Sequence, residues 1–506
     1  MKWLKPLQKL GIRNTGLFLG PLLFTVILLS DFQAQNPAVK RMAAVLAFMA
    51  VYWVTEALPL AVTSLFPFVL FPILDIMPGK NVAPNYINST IFLFIGGFLL
   101  ALAMERWNLH RRIAFKIIGM FGEKPVNLIL GFMISSMILS MWISNTATAL
   151  IMLPIALAVF SQIEGTLDEK SSHRIALALL LGVAYSCSVG GIATLVGSPP
   201  NLVFQRFMQI TYSNAEPITF GQWFAVGLPT SIVMVAIIWL FLTRVMFRLP
   251  ADVRIDRTII RQKYQELGKT SFEEKIVMTV FFMTAALWVF RSDLNLGFVK
   301  ITGWSSLLGL KGIDDGTVAI FSSVLLFLLP SKQQDRPRIL EKDILQKIPW
   351  GIVLLFGGGF ALAKGFQSSG LDKYFTSLFS GAAGTHPVMW IVSICIGVSF
   401  LTEFTSNTAS THIILPILAA AAVAGQINPL LVLIPATFSA SMAFMMPVAT
   451  PPNAIIFASE RVKIGEMVRA GFLLNFIGAM VVTLAMVFIA RAVFNINFLS
   501  FPAWAG

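Results

Sequence analysis

Charge is scarce in this chain. Asp, Glu, Lys and Arg make up 12% of its 506 residues, while hydrophobic residues make up 57% and mean hydropathy is +0.80. Soluble domains carry about 25% charged residues. A soluble globule of this composition would expose large apolar patches, and disorder requires the opposite balance. A polytopic membrane protein is the class that remains. Cysteine is scarcer still: Cys187 and Cys395 both sit inside apolar runs, which excludes a disulfide scaffold. The four histidines, His110, His173, His386 and His412, are scattered, so no Cys/His cluster has metal-ligand spacing. Motifs of hydrolytic chemistry (Gly-x-Ser-x-Gly, His-Glu-x-x-His, paired intramembrane Asp) are also missing, which argues against an enzyme.

The charge that is present is basic, with a net +13. It concentrates in the connections 244–275 and 331–348, the positive-inside pattern of membrane topology. No basic stripe interleaves with aromatics, so nucleic acid is not an expected partner. Lys2, Lys5, Lys9 and Arg13 precede an apolar run from Thr15 to Ser30 that mimics a signal peptide, but no small-residue cleavage site follows it. It reads as a first transmembrane helix with its basic end in the cytoplasm. Further spans are expected at 40–57, 60–77, 89–105, 174–192, 222–246, 274–291, 316–330, 349–365, 428–446 and 465–490, eleven in all, which puts the C-terminus outside.

Two apolar stretches, 126–160 and 387–424, resist this scheme. Each is too long for one span, too short for two, and carries a polar cluster at its middle. Irregular polar backbone survives at membrane depth only where protein or water surrounds it. Each stretch therefore reads as a re-entrant hairpin, with Ser144-Asn145-Thr146 and Ser406-Asn407-Thr408 at the tips.

The chain repeats itself. FLFIGGF at 92–98 matches LLFGGGF at 354–360, and SNTATALIMLPI at 144–155 matches SNTASTHIILPI at 406–417, both at an offset of 262. GSPPN at 197–201 matches ATPPN at 449–453 at an offset of 252. The first span of each copy runs in the opposite direction, so the repeats are inverted. That is a signature of secondary transporters, whose sites lie at the repeat interface near the midplane. The expected fold is all-α, with about eleven transmembrane helices and two re-entrant hairpins in two inverted repeats. Its expected parts are an N-terminal helix at 1–38, repeat 1 at 39–248, a cytoplasmic linker at 249–273, repeat 2 at 274–492 and a tail at 493–506.

The polar tips offer hydroxyls, amides and helix ends. Free N–H groups suit a carboxylate and free carbonyls suit a hard cation such as sodium. Pro199-Pro200-Asn201 and Pro451-Pro452-Asn453 are expected to break their helices and free oxygen ligands. No Asp, Glu, Lys or Arg occurs from Pro125 to Gln162, and no Lys or Arg from Tyr374 to Glu460. An anion bound there would rely on helix ends, hydroxyls, amides and co-bound cations. Glu403 has Met141 as its repeat counterpart and His412 has Leu150, so both read as structural. The glycine pair Gly96-Gly97 and triplet Gly357-Gly358-Gly359 read as close-packing sites. Residues 106–116, with Arg106, His110, Arg111, Arg112 and Lys116, read as an interfacial amphipathic helix.

The paired S-N-T motifs, G-S-P-P-N, T-P-P-N-A, A-M-E-R-W-N-L-H at 103–110 and P-W-G-I-V-L-L-F-G-G-G-F-A-L-A-K-G at 349–365 together resemble the divalent anion:sodium symporter family. The likeness is strongest to its bacterial sodium-dependent dicarboxylate symporters and covers nearly the whole chain. It implies a homodimer in the bacterial cytoplasmic membrane, with a scaffold and an elevator-type transport domain. It also implies at least two sodium ions flanking one dicarboxylate such as succinate, fumarate or malate. By motif position, the first sodium site would involve Ser140, Ser144, Asn145 and Gly197. The second would involve Thr402, Thr405, Asn407 and Ala449, partly through carbonyls; Thr405 occupies a place where a small apolar residue is also familiar. The dicarboxylate would lie between Ser144, Asn145, Thr146, Ser406, Asn407 and Thr408, near Ser198 and Thr450. Sodium-independent exchange, or transport of citrate or sulfate, are the alternatives within the same fold.

Overall fold

The computed structural model describes residues 4–165, 167–250, 258–295, 299–310, 312–379, 386–498 and 500–506. Residues 251–257 of the expected linker, and Lys2, lie outside them. The described chain is helical, apart from two small antiparallel hairpins that pair Leu294–Asn295 with Lys300–Ile301 and Pro330–Gln333 with Arg336–Arg338. The principal helices are α1 (Leu4–Leu29), α2 (Pro37–Thr55), α3 (Leu60–Ile73), α4 (Ser89–Arg106), α5 (Leu109–Met120), α6 (Pro125–Ser140), α7 (Asn145–Glu164), α8 (Glu169–Gly190), α9 (Pro199–Thr211) and α10 (Phe220–Met246). They continue with α11 (Phe272–Val289), α12 (Asp315–Leu328), α13 (Trp350–Ser368), α14 (Leu371–Leu378), α15 (Pro387–Thr402), α16 (Asn407–Ala424), α17 (Leu430–Ala440), α18 (Pro451–Phe457) and α19 (Ile464–Val493).

Among the described residues, eight helices are long and apolar enough to cross a membrane. One of these, α16, belongs to a hairpin. The expected spans at 60–77, 316–330 and 428–446 form shorter apolar helices, and α11 opens on Glu273, Glu274 and Lys275. Local signals set many of the boundaries. Asn88 caps α4 through Ile91 N, Asp168 caps α8 through Ser171 N, and Thr219 and Ser271 form capping boxes on α10 and α11.

The repeat is exact in register where it matters. Helix α6 starts at Pro125 and ends at Ser140, and α15 starts at Pro387 and ends at Thr402, each 262 residues on. The outgoing arms begin at Asn145 and Asn407 at the same offset. The turn that follows α4 passes through Asn108 (φ 56°), and the turn that follows α13 passes through Gly370 (φ 79°), again 262 apart. Left-handed backbone is open to Asn and Gly, which explains both residue choices.

The helix interruptions lie earlier than the expected 197–201 and 449–453. The prolines stand in the first turn of α9 and α18, where their missing N–H costs nothing and their fixed φ suits the helix. The irregular segments are 191–198, beginning with a short 3-10 turn at Gly191–Ala193, and 441–450. The larger apolar core runs through both hairpins and both broken helices. A second core joins α2, α3 and α13 around Met42, Trp53, Phe71, Leu355 and Phe366.

The glycine clusters admit three different neighbours. A Cβ at Gly357 would lie 2.1 Å from Tyr86 Cδ1, one at Gly358 2.2 Å from Ser64 O, and one at Gly359 2.0 Å from His412 Nδ1. His412 is buried there among Trp53, Phe356 and Phe360, so α13 and α2 grip the second hairpin directly.

Candidate functional site

Each hairpin meets its own interruption, and the two interruptions meet each other. Carbonyls of the last turn of α8 and of the first interruption meet side-chain donors, as buried backbone requires. Cys187 O accepts from Ser140 Oγ at 2.6 Å, Val189 O from Ser231 Oγ at 2.8 Å, and Ile192 O from Trp223 Nε1 at 3.0 Å. Asn201 Nδ2 donates to both Gly191 O and Thr194 O, at 2.9 and 2.7 Å. The second interruption repeats this brace at an offset of 252. Asn453 Nδ2 donates to Ala443 O and Met446 O, at 3.1 and 3.2 Å. The two asparagines thus act through their nitrogens as struts across each break. Their Oδ1 atoms are buried without a partner.

The first sodium set is partly gathered. Ser140 Oγ lies 2.5 Å from Asn145 Oδ1 and 2.6 Å from Cys187 O, yet its hydroxyl has one proton to give. A Cβ at Gly191 would lie 2.7 Å from Asn145 Oδ1 and 2.9 Å from Gly197 O, so both oxygens converge on a glycine. Thr194 Oγ1 donates to Met141 O and accepts from Gly197 N. This crowding of oxygens short of protons is the donor set a hard cation takes. Ser144 Oγ accepts from Ala147 N and caps α7. Ser144, Asn145 and Thr146 are all half-buried.

The second set is looser. Asn407 Oδ1 is buried without a partner. Thr405 Oγ1 lies 2.5 Å from Ser410 Oγ and donates to Leu401 O, and Thr402 Oγ1 donates to Ser399 O at 3.1 Å. Ala449 N donates to Met446 O. Ser406 N-caps α16, and Thr408, its second residue, is buried. Ser198 and Thr450 are buried N-caps of α9 and α18. Thr450 Oγ1 accepts from Asn453 N, while Ser198 Oγ meets Ser441 Oγ at 3.0 Å and so bridges the two interruptions.

Glu403 is fully buried and accepts only. Its Oε1 takes Phe444 N at 2.8 Å, Met445 N at 2.9 Å and Asn475 Nδ2 at 2.8 Å; its Oε2 takes Met446 N at 2.9 Å and Met445 N at 3.0 Å. The carboxylate pins the second interruption to its hairpin. Tyr185 adds a cross-repeat tie, donating to Phe444 O at 2.8 Å. Thr194, Gly191, Tyr185, Asn475 and Ser441 escaped the sequence reading. Only Asn475, a lone amide in the apolar run 465–490, left a visible signal.

The profile of the sodium:sulfate symporter transmembrane region matches residues 18–495. The chain belongs to the sodium:sulfate symporter family. Its resemblance to the divalent anion:sodium symporters is thereby upheld. One similar protein is the sodium-dependent dicarboxylate transporter SdcS of Staphylococcus saprophyticus, 40% identical over 95% of this chain and 92% of the relative. SdcS of Staphylococcus aureus is 41% identical with the same coverage. Among solved structures, the YdaH transporter of Alcanivorax borkumensis aligns with TM-score 0.55 and 12% identity over 80% of this chain and 86% of that one. MtrF of Neisseria gonorrhoeae aligns with TM-score 0.52 and 11% identity over 86% and 87%. Both structures speak to the fold alone.

In this symporter-family chain the halves of the site differ in openness. Phe404 and Val448 are 67% and 72% exposed, while their repeat counterparts Trp142 and Val196 are half-buried. Pro451 and Ala454 are exposed, against half-buried Pro199 and buried Leu202.

Proposed function

We propose that this protein is a sodium-coupled symporter that imports C4-dicarboxylates such as succinate, fumarate and malate across the bacterial cytoplasmic membrane. The observation that carries the reading is the oxygen cluster of Ser140, Asn145, Cys187 and Gly197 beside a tip with no basic side chain. A dianion placed there needs cations beside it. The printed names of the SdcS relatives supply the matching chemistry, sodium and dicarboxylate. The first cation would sit among Ser140, Ser144, Asn145 and Gly197, the second among Thr402, Thr405, Asn407 and Ala449. The dicarboxylate would bridge Ser144-Asn145-Thr146 and Ser406-Asn407-Thr408, against the N-termini of α7 and α16.

With the N-terminus inside and the C-terminus outside, α9 points outward and α18 inward. The greater exposure around α18 then corresponds to an inward-open state, and alternating access moves the hairpins and broken helices as one elevator body against a dimeric scaffold. Uptake of labelled succinate into proteoliposomes tests the reading, with an inward sodium gradient set against a matched potassium gradient. Sodium-dependent accumulation above equilibrium is expected. Equal uptake in both, seen only with dicarboxylate preloaded inside, would mean an exchanger.

A further inference from the structure

The approach to the site has its own charge. Nine of the thirteen side chains of α9 are buried, leaving Pro199, Arg206, Gln209 and Thr211 with exposure. Pro199, Arg206 and Gln209 fall on one side of the helix, but Leu202 and Val203 between the first two are buried, so the accessible stretch lies at the far end of α9, around Arg206, Gln209 and Thr211. Arg206 is the only charged residue of α9. It stands eight residues beyond Ser198, about 12 Å along the helix axis.

Its guanidinium lacks an acid. Nη1 donates to Gln209 Oε1 at 3.0 Å, and Nε is buried without a partner. The arginines at 106, 112, 291 and 461 pair with Asp343, Glu274, Asp315 and Glu164. Among the described residues, Arg206 alone combines a buried, unpartnered guanidinium nitrogen with no carboxylate partner. An intramembrane cation in that condition points to function. A second cation stands at the same seam. Gln367 Nε2 of α13 donates to Thr211 O at 3.4 Å, and exposed Lys364 Nζ donates to Gln367 Oε1 at 3.1 Å. Both basic groups therefore flank the end of α9 that faces outward, where substrate arrives.

We propose that Arg206 is a transient carboxylate-binding site on the outer approach, holding one end of the dicarboxylate before the anion reaches the hairpin tips. The inference rests on the dicarboxylate reading above. A planar guanidinium with free N–H groups matches a carboxylate, and an uncompensated positive charge in a low-dielectric passage draws anions in and raises their rate of capture.

Arg206→Gln is expected to raise the half-saturating external succinate about tenfold, with the maximal rate within about twofold. Half-saturation for efflux from the inside should stay unchanged, and the salt dependence of uptake at low succinate should flatten. Arg206→Lys should recover most of the loss. Arg206→Cys gives a second measurement in folded, membrane-inserted protein. A cationic thiol reagent should restore capture and an anionic one should depress it further, and the native Cys187 and Cys395 are 0% exposed and out of reach. Unchanged external half-saturation in Arg206→Gln, or equal effects of the two reagents, with sodium-driven uptake intact, would overturn this inference and leave the transport reading standing. No succinate uptake by the unmodified chain would overturn both.

Discussion

Glu403→Gln tests how the second interruption is held. The carboxylate offers two acceptor oxygens to three backbone N–H groups and one amide, and the substitution keeps the shape while replacing one oxygen with an NH₂. The retained oxygen can keep Phe444, Met445 and Asn475. The new NH₂ then faces Met446 N, donor against donor. Losing one charge-assisted bond costs about 1.5–3 kcal/mol, and an unsatisfied buried donor costs about 1–3 kcal/mol more. A total of about 2.5–6 kcal/mol is a large fraction of the stability of most domains. The damage should travel, because Met446 O accepts from both Ala449 N and Asn453 Nδ2. Ala449 belongs to the second cation set proposed above. We therefore expect the half-activating sodium concentration for succinate uptake to rise at least about tenfold in Glu403→Gln. The melting temperature of the purified protein should fall by several degrees. Met141→Leu at the matched position should change neither. Normal sodium activation in Glu403→Gln, with a melting temperature within about 1 °C of the parent, would refute the argument that this carboxylate positions the site.

Asn145→Ala and Asn407→Ala should each abolish sodium-driven accumulation of succinate; normal uptake and sodium affinity in both would dismiss the two-site arrangement. Gly191→Ala puts a methyl 2.7 Å from Asn145 Oδ1 and 2.9 Å from Gly197 O. It should remove sodium activation while the protein still inserts and binds detergent as a folded species by size exclusion. Gly359→Ala drives a methyl to within 2.0 Å of His412 Nδ1, so the ring must move. A loss of about 1–3 kcal/mol of stability is expected by thermal unfolding, as for other overpacked cores.

The helical arms of the two stretches were legible to within four residues, 126–160 against 125–164 and 387–424 against the same bounds, because their ends are written locally. Proline stands at the start of α6 and α15, and the S-N-T motif stands at the start of α7 and α16. The interruptions were not, because proline pairs mark where a helix resumes and say nothing of where the previous one stops. That point is set by bonds from far away: Trp223 and Ser231 on α10 hold the first interruption, and Glu403 reaches 41–43 residues along the chain to hold the second. The glycine triplet was readable as a packing device. Which neighbour each glycine admits (Tyr86, Ser64 and His412 in turn) depends on three separate elements and left no trace in the local sequence. Glu403 and His412, whose repeat positions are unmatched, both make buried contacts, Glu403 with the second interruption and His412 with Gly359 and Trp53.

The two repeats preserve geometry and exchange chemistry. The strut from Asn201 is the strut from Asn453, atom for atom. The tie between each hairpin and its interruption uses matched positions, 141 with 194 and 403 with 446, and in both the interruption donates and the hairpin accepts. In the first repeat a side-chain hydroxyl, Thr194 Oγ1, donates to a backbone carbonyl, Met141 O; in the second a backbone amide, Met446 N, donates to a side-chain carboxylate, Glu403 Oε2. One tie is neutral and the other places a buried carboxylate beside the second cation set. Charges interact more strongly in such an interior than in water. In the proposed two-site arrangement the second set would gain attraction for a cation that the first set, built from hydroxyl, amide and carbonyl oxygens, would supply by convergence alone. The residues agree with that division. The first set draws Asn145 Oδ1, Ser140 Oγ and Cys187 O tightly together, whereas Asn407 Oδ1 in the second is left without a partner.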